Sequence, residues 1–114
     1  MTLRNAHLAA VERRKVTDYL LNAAHPDNGG KASFFQSLGY LADDPEPLIA
    51  ALRSLAKNGA VVERSESIHG EKYVVDGRLT AHTEEKQTRT VRTVWVIDRG
   101  SDTPRLVTAY PGRE

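Results

Sequence analysis

The 114-residue sequence contains no cysteine, and it has only one methionine and one tryptophan. Without cysteine the chain can form neither a disulfide nor a thiolate metal site. No apolar run approaches the roughly 20 residues that a membrane-spanning helix needs, and the first residues lack the apolar core and cleavage site of a signal peptide. We therefore expect a cytoplasmic protein that does not enter a membrane.

The sequence also lacks an excess of either charge, because 16 lysines and arginines stand against 15 aspartates and glutamates, for a formal net charge of +1. A domain that binds nucleic acid by overall charge is strongly basic. A nucleic-acid role here would therefore need a local basic site. The second half of the chain carries several basic residues interspersed with acidic ones, which is equally typical of a mixed, solvated surface.

Helical spacing dominates the first half of the chain. Apolar residues recur at helical intervals between residues 3 and 23, with a break expected near Arg14. A second helix is predicted from Lys31 to Leu38, and Gly39 is its stop signal. A third helix is predicted after residues 43–47, where two aspartates, two prolines and a glutamate form an acidic cap and a first turn.

The second half changes to β-prone runs near residues 60–64, 72–79, 88–98 and 105–110. Short polar turns separate the runs and favour antiparallel pairing, since parallel strands need long crossovers. The predicted fold class is α+β, with N-terminal helices packed on a four-stranded antiparallel meander. We expect one domain over residues 1–114, with a helical part at 1–59 and a sheet part at 60–111.

His69 and Lys72 form the most suggestive pair for chemistry. His69 lies in a glycine-flanked turn, and Lys72 opens the next strand. Histidine exchanges protons near neutral pH, and a lysine stabilises an anionic phosphate. Cleavage of RNA needs both functions. The simpler interpretation, an exposed turn histidine beside a solvated lysine, is favoured by spacing alone.

Two further strands carry polar side chains that could hold a phosphate. In the run around Arg92, alternation places Arg92 on the face opposite Trp95, and the arginine fork either faces solvent or holds phosphate in a cleft. Thr108 and Tyr110 share one face of the last strand, where they could position a phosphate by hydrogen bonds or form a half-exposed surface. Trp95 is predicted to be a core residue.

Lys31 follows two glycines at a predicted helix start, which is a plausible anion site. The spacing of a Walker loop is absent. The histidines are scattered without zinc-ligand spacing, and no carboxylate cluster is typical of a Mg²⁺ site. We therefore expect neither a metal nor another cofactor.

The segments YLLNAAHPDNGGKASFFQSLGY, HGEKYVVDG, VRTVWVIDRG and PRLVTAYP together resemble a family of small bacterial domains of unknown function. Related domains occur at the C-terminal tips of polymorphic toxins or as stand-alone proteins. The predicted layout also resembles the barnase–EndoU–colicin–RelE-like fold of metal-independent ribonucleases. That second resemblance is an analogy at the level of fold.

The ribonuclease resemblance implies roles for particular residues. His69 would be the acid–base residue and Lys72 the phosphate stabiliser, while Arg92 and Thr93 would hold phosphate or ribose. EndoU enzymes use two histidines, and His25 or His82 would have to supply the second. The resemblance implies five catalytic residues and three substrate-binding residues. The catalytic residues are His69, Lys72, Arg92, Thr108 and Tyr110. The substrate-binding residues are Lys31, Thr93 and His25.

Two hypotheses follow. The first is a metal-independent endoribonuclease of bacterial toxin type, which cleaves RNA such as tRNA by 2′-hydroxyl transesterification and has a cognate antitoxin or immunity protein. The second is a non-catalytic interaction module, such as an antitoxin, an immunity protein or a small phage or plasmid adaptor. The enzyme hypothesis expects the catalytic residues to converge in one concavity. The module hypothesis expects them to scatter beside an exposed apolar patch or sheet edge.

Overall fold

The computed structural model describes residues 1–113 and confirms the predicted α+β architecture. Three helices precede an antiparallel meander in which the strand order follows the chain. The helices are α1 (Arg13–Lys15), α2 (Lys31–Ser37) and α3 (Glu46–Asn58), and the strands are β1 (Ala60–Ser67), β2 (Gly70–Thr80), β3 (Thr88–Asp98) and β4 (Pro104–Pro111). None of the helices within residues 1–113 is long and apolar enough to cross a bilayer.

The helical half departs from the prediction in its first segment. Helical spacing predicts a helix with one break over residues 3–23. The structure instead has a short 3₁₀ turn at Ala6–Leu8, then an extended stretch, and then α1. Ala10 of that stretch bridges in parallel to Arg105 at the free edge of β4. A backbone that pairs with a sheet edge cannot also be helical, so the break comes before α1 and not at Arg14. The third helix begins at Glu46 without a side-chain cap, so the expected aspartate cap is not formed.

Helix α1 continues directly into a π-helical turn, Val16–Leu20, which closes with a hydrogen bond from the Leu21 amide to the Val16 carbonyl. A π-helical turn widens the backbone by one residue, and such turns are frequent at functional sites. Val16 and Leu20 are buried in the core. Tyr19, between them, is only partly buried and turns its ring toward β4.

The sheet has an inner face against the helices and an outer face away from them. Alternation along β3 places Val91, Trp95 and Ile97 in the core cluster that the helices also enter. Arg92 lies on the outer face, as predicted, and Trp95 is fully buried. Bulges between Val61 and Glu63 and between Val94 and Trp95 shift the register at both outer strand pairs.

Thr93 lies inside the core on the inner face. Its hydroxyl donates to the Val75 carbonyl oxygen at 2.8 Å and accepts from the Trp95 indole nitrogen at 2.7 Å. Both Thr93 and Trp95 are fully buried. A buried indole N–H needs an acceptor, since an unmade hydrogen bond there carries the full desolvation penalty. The threonine therefore allows the large tryptophan to occupy the centre of the core.

Asn28 ties the loop before α2 to the π-helical turn. Its side-chain amide donates to the carbonyl oxygens of Tyr19, at 2.6 Å, and Leu20, at 3.3 Å. Its side-chain oxygen accepts from the Ala32 amide in the first turn of α2, at 2.9 Å. Asn28 is buried, and two of its three hydrogen bonds are buried while the bond to Tyr19 is partly buried. This one side chain sets where the loop at residues 22–30 lies relative to Tyr19.

Replacing Thr93 by valine keeps the shape and removes the hydroxyl. The buried indole N–H of Trp95 then loses its acceptor, so we expect Thr93→Val to lower the free energy of unfolding by about 1–3 kcal/mol. Urea titration followed by the fluorescence of the single tryptophan measures this. The control is Thr103→Val in the exposed β3–β4 turn, expected to stay within about 0.5 kcal/mol of wild type. Equal stability of the two variants would contradict the role given to Thr93.

Replacing Asn28 by alanine leaves one buried amide and two carbonyl oxygens without their partner. We expect a loss of about 2–3 kcal/mol in the free energy of unfolding, together with faster proteolysis within residues 22–30. Asn58→Ala, at the exposed end of α3, removes an asparagine with only local hydrogen bonds and should change stability by about 0.5 kcal/mol or less. The assignment fails if the loop of Asn28→Ala resists protease as well as the loop of Asn58→Ala does.

Candidate functional site

Four of the predicted site residues lie on the outer face of the sheet. Tyr110 pairs with Arg92 and Thr108 pairs with Val94 in the β3–β4 register. Lys72 pairs with Val96 in the β2–β3 register. Side chains two residues apart on a strand share a face, so all four side chains leave the sheet in one direction. They do not, however, form one cluster.

Arg92 is engaged in an ion pair within the sheet. Its Nε and Nη2 donate to the two carboxylate oxygens of Asp76 on the neighbouring strand, at 2.8 Å each. The Asp76 hydrogen bonds raise the pKa of the Arg92 guanidinium, and the adjacent Tyr110 hydroxyl adds to the effect. The fork that was predicted to hold phosphate therefore already holds a carboxylate. Two of its nitrogens are fixed, and the guanidinium is oriented beside Tyr110.

A second group of residues surrounds Tyr19, and we call it the Tyr19 cluster. The Tyr19 hydroxyl lies 2.9 Å from the Thr108 hydroxyl. The Nζ atoms of Lys15 and Lys31 each lie 5.5 Å from the centre of the Tyr19 ring, and the His25 ring meets the Tyr19 ring edge-on at 5.0 Å. The members, from four separate parts of the chain, are Lys15, Tyr19, His25, Lys31 and Thr108.

Every member of the Tyr19 cluster is partly exposed, so a ligand can reach it. An ammonium over a tyrosine face is attracted by the ring quadrupole. Two ammonium groups, one imidazole and one hydroxyl therefore lie around the Tyr19 side chain. Tyr110 continues this surface two residues beyond Thr108, toward Arg92.

The geometry around His25 defines its hydrogen-bonding state. The Asp27 amide donates to His25 Nδ1 at 3.0 Å. A nitrogen that accepts carries no proton, so in the neutral ring the proton is on Nε2. His25 thus offers an N–H donor at Nε2, and its orientation is held by the loop backbone.

Lys31 is positioned by the same loop. Its Nζ donates to the carbonyl oxygen of Asn28 at 3.1 Å and to that of Asp27 at 3.4 Å. An ammonium has three donors, so one N–H of Lys31 is left for a ligand. Gly29 and Gly30 both have positive φ, which makes the turn that brings Lys31 back over Tyr19.

His69 and Lys72 lie nearer the β1–β2 turn. They line a groove of about 320 Å³ with Val96, Asp98 and Arg105. Lys72 pairs with Val96 and Thr108 pairs with Val94, so Lys72 lies about 12 Å from Thr108 across two strand spacings, and His69 lies farther away in the turn. The expectation that all the catalytic residues converge in one concavity is thus not met: they form two groups.

Two other predicted residues, Thr93 and His82, make contacts outside both groups. Thr93 is buried on the inner face with both hydrogen-bonding functions of its hydroxyl in use, so direct contact with a phosphate or ribose does not fit this position. His82, the alternative second histidine, stacks on Tyr40 at 5.8 Å in the β2–β3 loop. That leaves His25 as the histidine beside other predicted site residues.

Lys15 and Tyr19 were missed by sequence reasoning. Tyr19 fits the apolar spacing expected of a helix over residues 3–23, and nothing in that spacing separates it from a core residue. Lys15 is one of three consecutive basic residues and has no distinguishing pattern. The π-helical turn that exposes Tyr19 has no sequence signal that we could have used. Among residues 1–113, no group of three or more histidine, aspartate or glutamate side chains is placed to hold a metal ion.

Comparison with known proteins gives a fold and a family. The fold matches one chain of a structure described as a contact-dependent growth inhibition toxin–immunity protein complex from Klebsiella pneumoniae 342, with a TM-score of 0.72 over 98% of this chain and 100% of that chain. At 15% sequence identity this likeness is one of fold alone. No curated protein matches the sequence. Residues 2–113 match the family described as a domain of unknown function, DUF6883, and the chain therefore belongs to that family.

Proposed function

We propose that this protein is a metal-independent endoribonuclease of bacterial toxin type, with the Tyr19 cluster as its reactive centre. The observation that carries the proposal is the convergence of two ammonium groups, an oriented imidazole N–H and a hydroxyl on one partly exposed tyrosine. Preorganised donors aimed at developing negative charge are usually the largest single contribution to catalysis. The phosphorane formed during RNA cleavage is such a charge.

The reaction is transesterification at phosphorus. The ribose 2′-oxygen forms a bond to phosphorus, the bond from phosphorus to the 5′-oxygen breaks, and a 2′,3′-cyclic phosphate and a 5′-hydroxyl result. The 2′-hydroxyl proton leaves to water, and the departing 5′-oxygen takes a proton from water. Lys15, Lys31 and the Nε2–H of His25 stabilise the non-bridging oxygens. Thr108 and Tyr110 orient the nucleotide by hydrogen bonds.

Arg92 has a positioning role in this proposal. Its bidentate pair with Asp76 uses two nitrogens and leaves the guanidinium beside the Tyr110 hydroxyl. A cation there holds Tyr110 in place and favours an anion on the same side of the sheet. The paired arginine is thus a fixed part of the surface and does not need to leave Asp76 when RNA binds.

The likeness of fold supports the toxin context. The matching structure is described as a toxin–immunity protein complex, and we propose by analogy that this protein also has a cognate immunity protein or antitoxin, and that its substrate is RNA, such as tRNA, in the cytoplasm of a target cell.

One observation favours the second hypothesis, a non-catalytic interaction module. Strand β1 is the edge of the sheet, seven of its eight residues are exposed, and Val62 and Ile68 are large exposed hydrophobics on it and on its turn. Such an edge can pair with a strand of another protein. The two hypotheses are separated by activity, since the module cuts no RNA.

Removing one donor from the Tyr19 cluster should abolish most RNA cleavage. We expect His25→Ala and Lys31→Ala each to lower the single-turnover rate on total tRNA on the order of 10²–10³-fold, the cost typical of one lost donor in a preorganised site. Tyr19→Phe keeps the ring and loses the bond to Thr108, so a smaller loss of about tenfold is expected, near the worth of one hydrogen bond.

Matched controls are His7→Ala and Lys57→Ala, because both residues are exposed and outside the cluster. They should cut at the wild-type rate. Circular dichroism verifies that every variant is folded. Wild-type cleavage that survives in folded His25→Ala and Lys31→Ala, and is lost in His69→Ala, would move the reactive centre to the groove near the β1–β2 turn.

The proposed chemistry also predicts the products and the response to chelators. Cleaved RNA should end in a 2′,3′-cyclic phosphate, detected by mass spectrometry of the fragments. EDTA should leave the rate unchanged, because the charge stabilisation is assigned to Lys15, Lys31 and His25. Loss of activity in EDTA that Mg²⁺ restores, or products with a 3′-hydroxyl, would contradict the proposal.

A further inference from the structure

We propose that the groove at the β1–β2 turn, lined by His69 and Lys72, is a second phosphate subsite, which binds RNA two to four nucleotides away from the phosphate that reacts. The inference rests on the proposed ribonuclease function. It specifies the substrate that the outer face binds, which is an RNA strand with several phosphates on one side of the cleavage point. It gives a role to the two predicted residues that the Tyr19 cluster does not contain.

Three arginines, Arg4, Arg64 and Arg105, balance the three carboxylates that line the groove and leave the Lys72 ammonium without a partner among the described residues 1–113. Glu66 and Glu71 accept hydrogen bonds from Arg64, and Asp98 accepts them from Arg105. These hydrogen bonds hold the pKa of Glu71 and that of Asp98 below their usual range, so both carboxylates stay ionised and paired.

Lys72 differs from these arginines. Within residues 1–113 its ammonium group makes no hydrogen bond or ion pair, and the exposed residue lines the groove. An ammonium is a strongly hydrated point charge with three free donors, and it suits a phosphate of variable orientation. His69, on the adjacent turn, lines the same groove.

The spacing fits a single strand of RNA. Lys72 pairs with Val96, and Thr108 pairs with Val94, two residues earlier on β3. The offset is about 7 Å along the strands and about 10 Å across two strand spacings, or about 12 Å in all. A strand with about 3.4 Å per stacked nucleotide covers that distance in three to four nucleotides, and an unstacked strand needs fewer.

Between the two sites, Val74 and Val94 of the outer face are buried, and Val96 is partly exposed. A strand bound there lies over the polar side chains of this face, with its phosphates at Lys72 at one end and at the Tyr19 cluster at the other. Both sites belong to one outer face, so a strand does not need to pass around an edge.

The test is the salt dependence of binding to a fluorescent 2′-O-methyl RNA dodecamer of mixed sequence, which cannot be cleaved because its 2′-oxygens are blocked. Each phosphate contact of a single strand contributes about 0.7 to the slope of log K against log salt. We expect Lys72→Ala to reduce that slope by about 0.7 and to weaken binding about fivefold at low salt. Lys57→Ala, which removes the same charge from an exposed position on α3, should leave the slope unchanged.

Cleavage of a substrate RNA separates this subsite from the reactive centre. Lys72→Ala should raise KM about fivefold and keep kcat within about twofold, because it removes binding that is the same in the ground and transition states. Equal salt slopes for Lys72→Ala and Lys57→Ala, or no binding of the dodecamer by wild type, would overturn the subsite. A loss of kcat as large as that of His25→Ala would also overturn it. If the salt slope depends on Lys72 but the protein cuts no RNA, the proposed ribonuclease function is wrong and the proposal that the groove binds RNA is supported.

Discussion

The three hydrogen bonds of the Asn28 side chain hold together the part of the molecule on which the candidate site depends. They join the carbonyl oxygens of Tyr19 and Leu20, at the end of the π-helical turn, to the first turn of α2. Tyr19 is in that turn, and His25 and Lys31 flank Asn28 in the loop and at the helix start. A buried amide that satisfies three backbone groups allows little displacement, because two of these bonds would be broken in a buried environment. The positions of the imidazole and the ammonium relative to Tyr19 therefore follow from one asparagine.

The inner face of the sheet contributes to stability, and the outer face carries the side chains of the proposed chemistry. The inner face holds Trp95, its hydrogen bond to Thr93 and the apolar residues that meet the helices. The outer face carries Arg92, Thr108 and Tyr110, and the Tyr19 hydroxyl contacts it at Thr108. A side chain on the outer face can change without opening the core. This division allows the surface side chains to vary while the fold is kept.

Sequence reasoning predicted the strands well because their signal is local. Alternation in β3 was enough to separate Arg92 from Trp95, and short polar turns were enough for the meander. Contacts between distant segments were not predictable in the same way. The bridge from Ala10 to Arg105 interrupts a segment whose spacing is otherwise helical. The spacing of Tyr19 is that of a core residue, but the π-helical turn directs its side chain toward Thr108. Thr93 beside Arg92 suggested a ligand contact, but its hydroxyl satisfies a buried indole. His25 and Lys31 were selected on separate grounds, and only the folded loop brings them to one tyrosine.

The central claim is that an RNA strand contacts the Tyr19 cluster. The most direct measurement is an NMR titration of the ¹⁵N-labelled protein with the non-cleavable 2′-O-methyl RNA dodecamer, which follows the backbone amides, the His25 ring nitrogens and the lysine ammonium groups. The account predicts that the largest shifts fall on His25, Lys31, Thr108 and Tyr110, with smaller shifts at Lys72. Shifts confined to the β1 edge, or a His25 ring that does not respond at saturation, would contradict it.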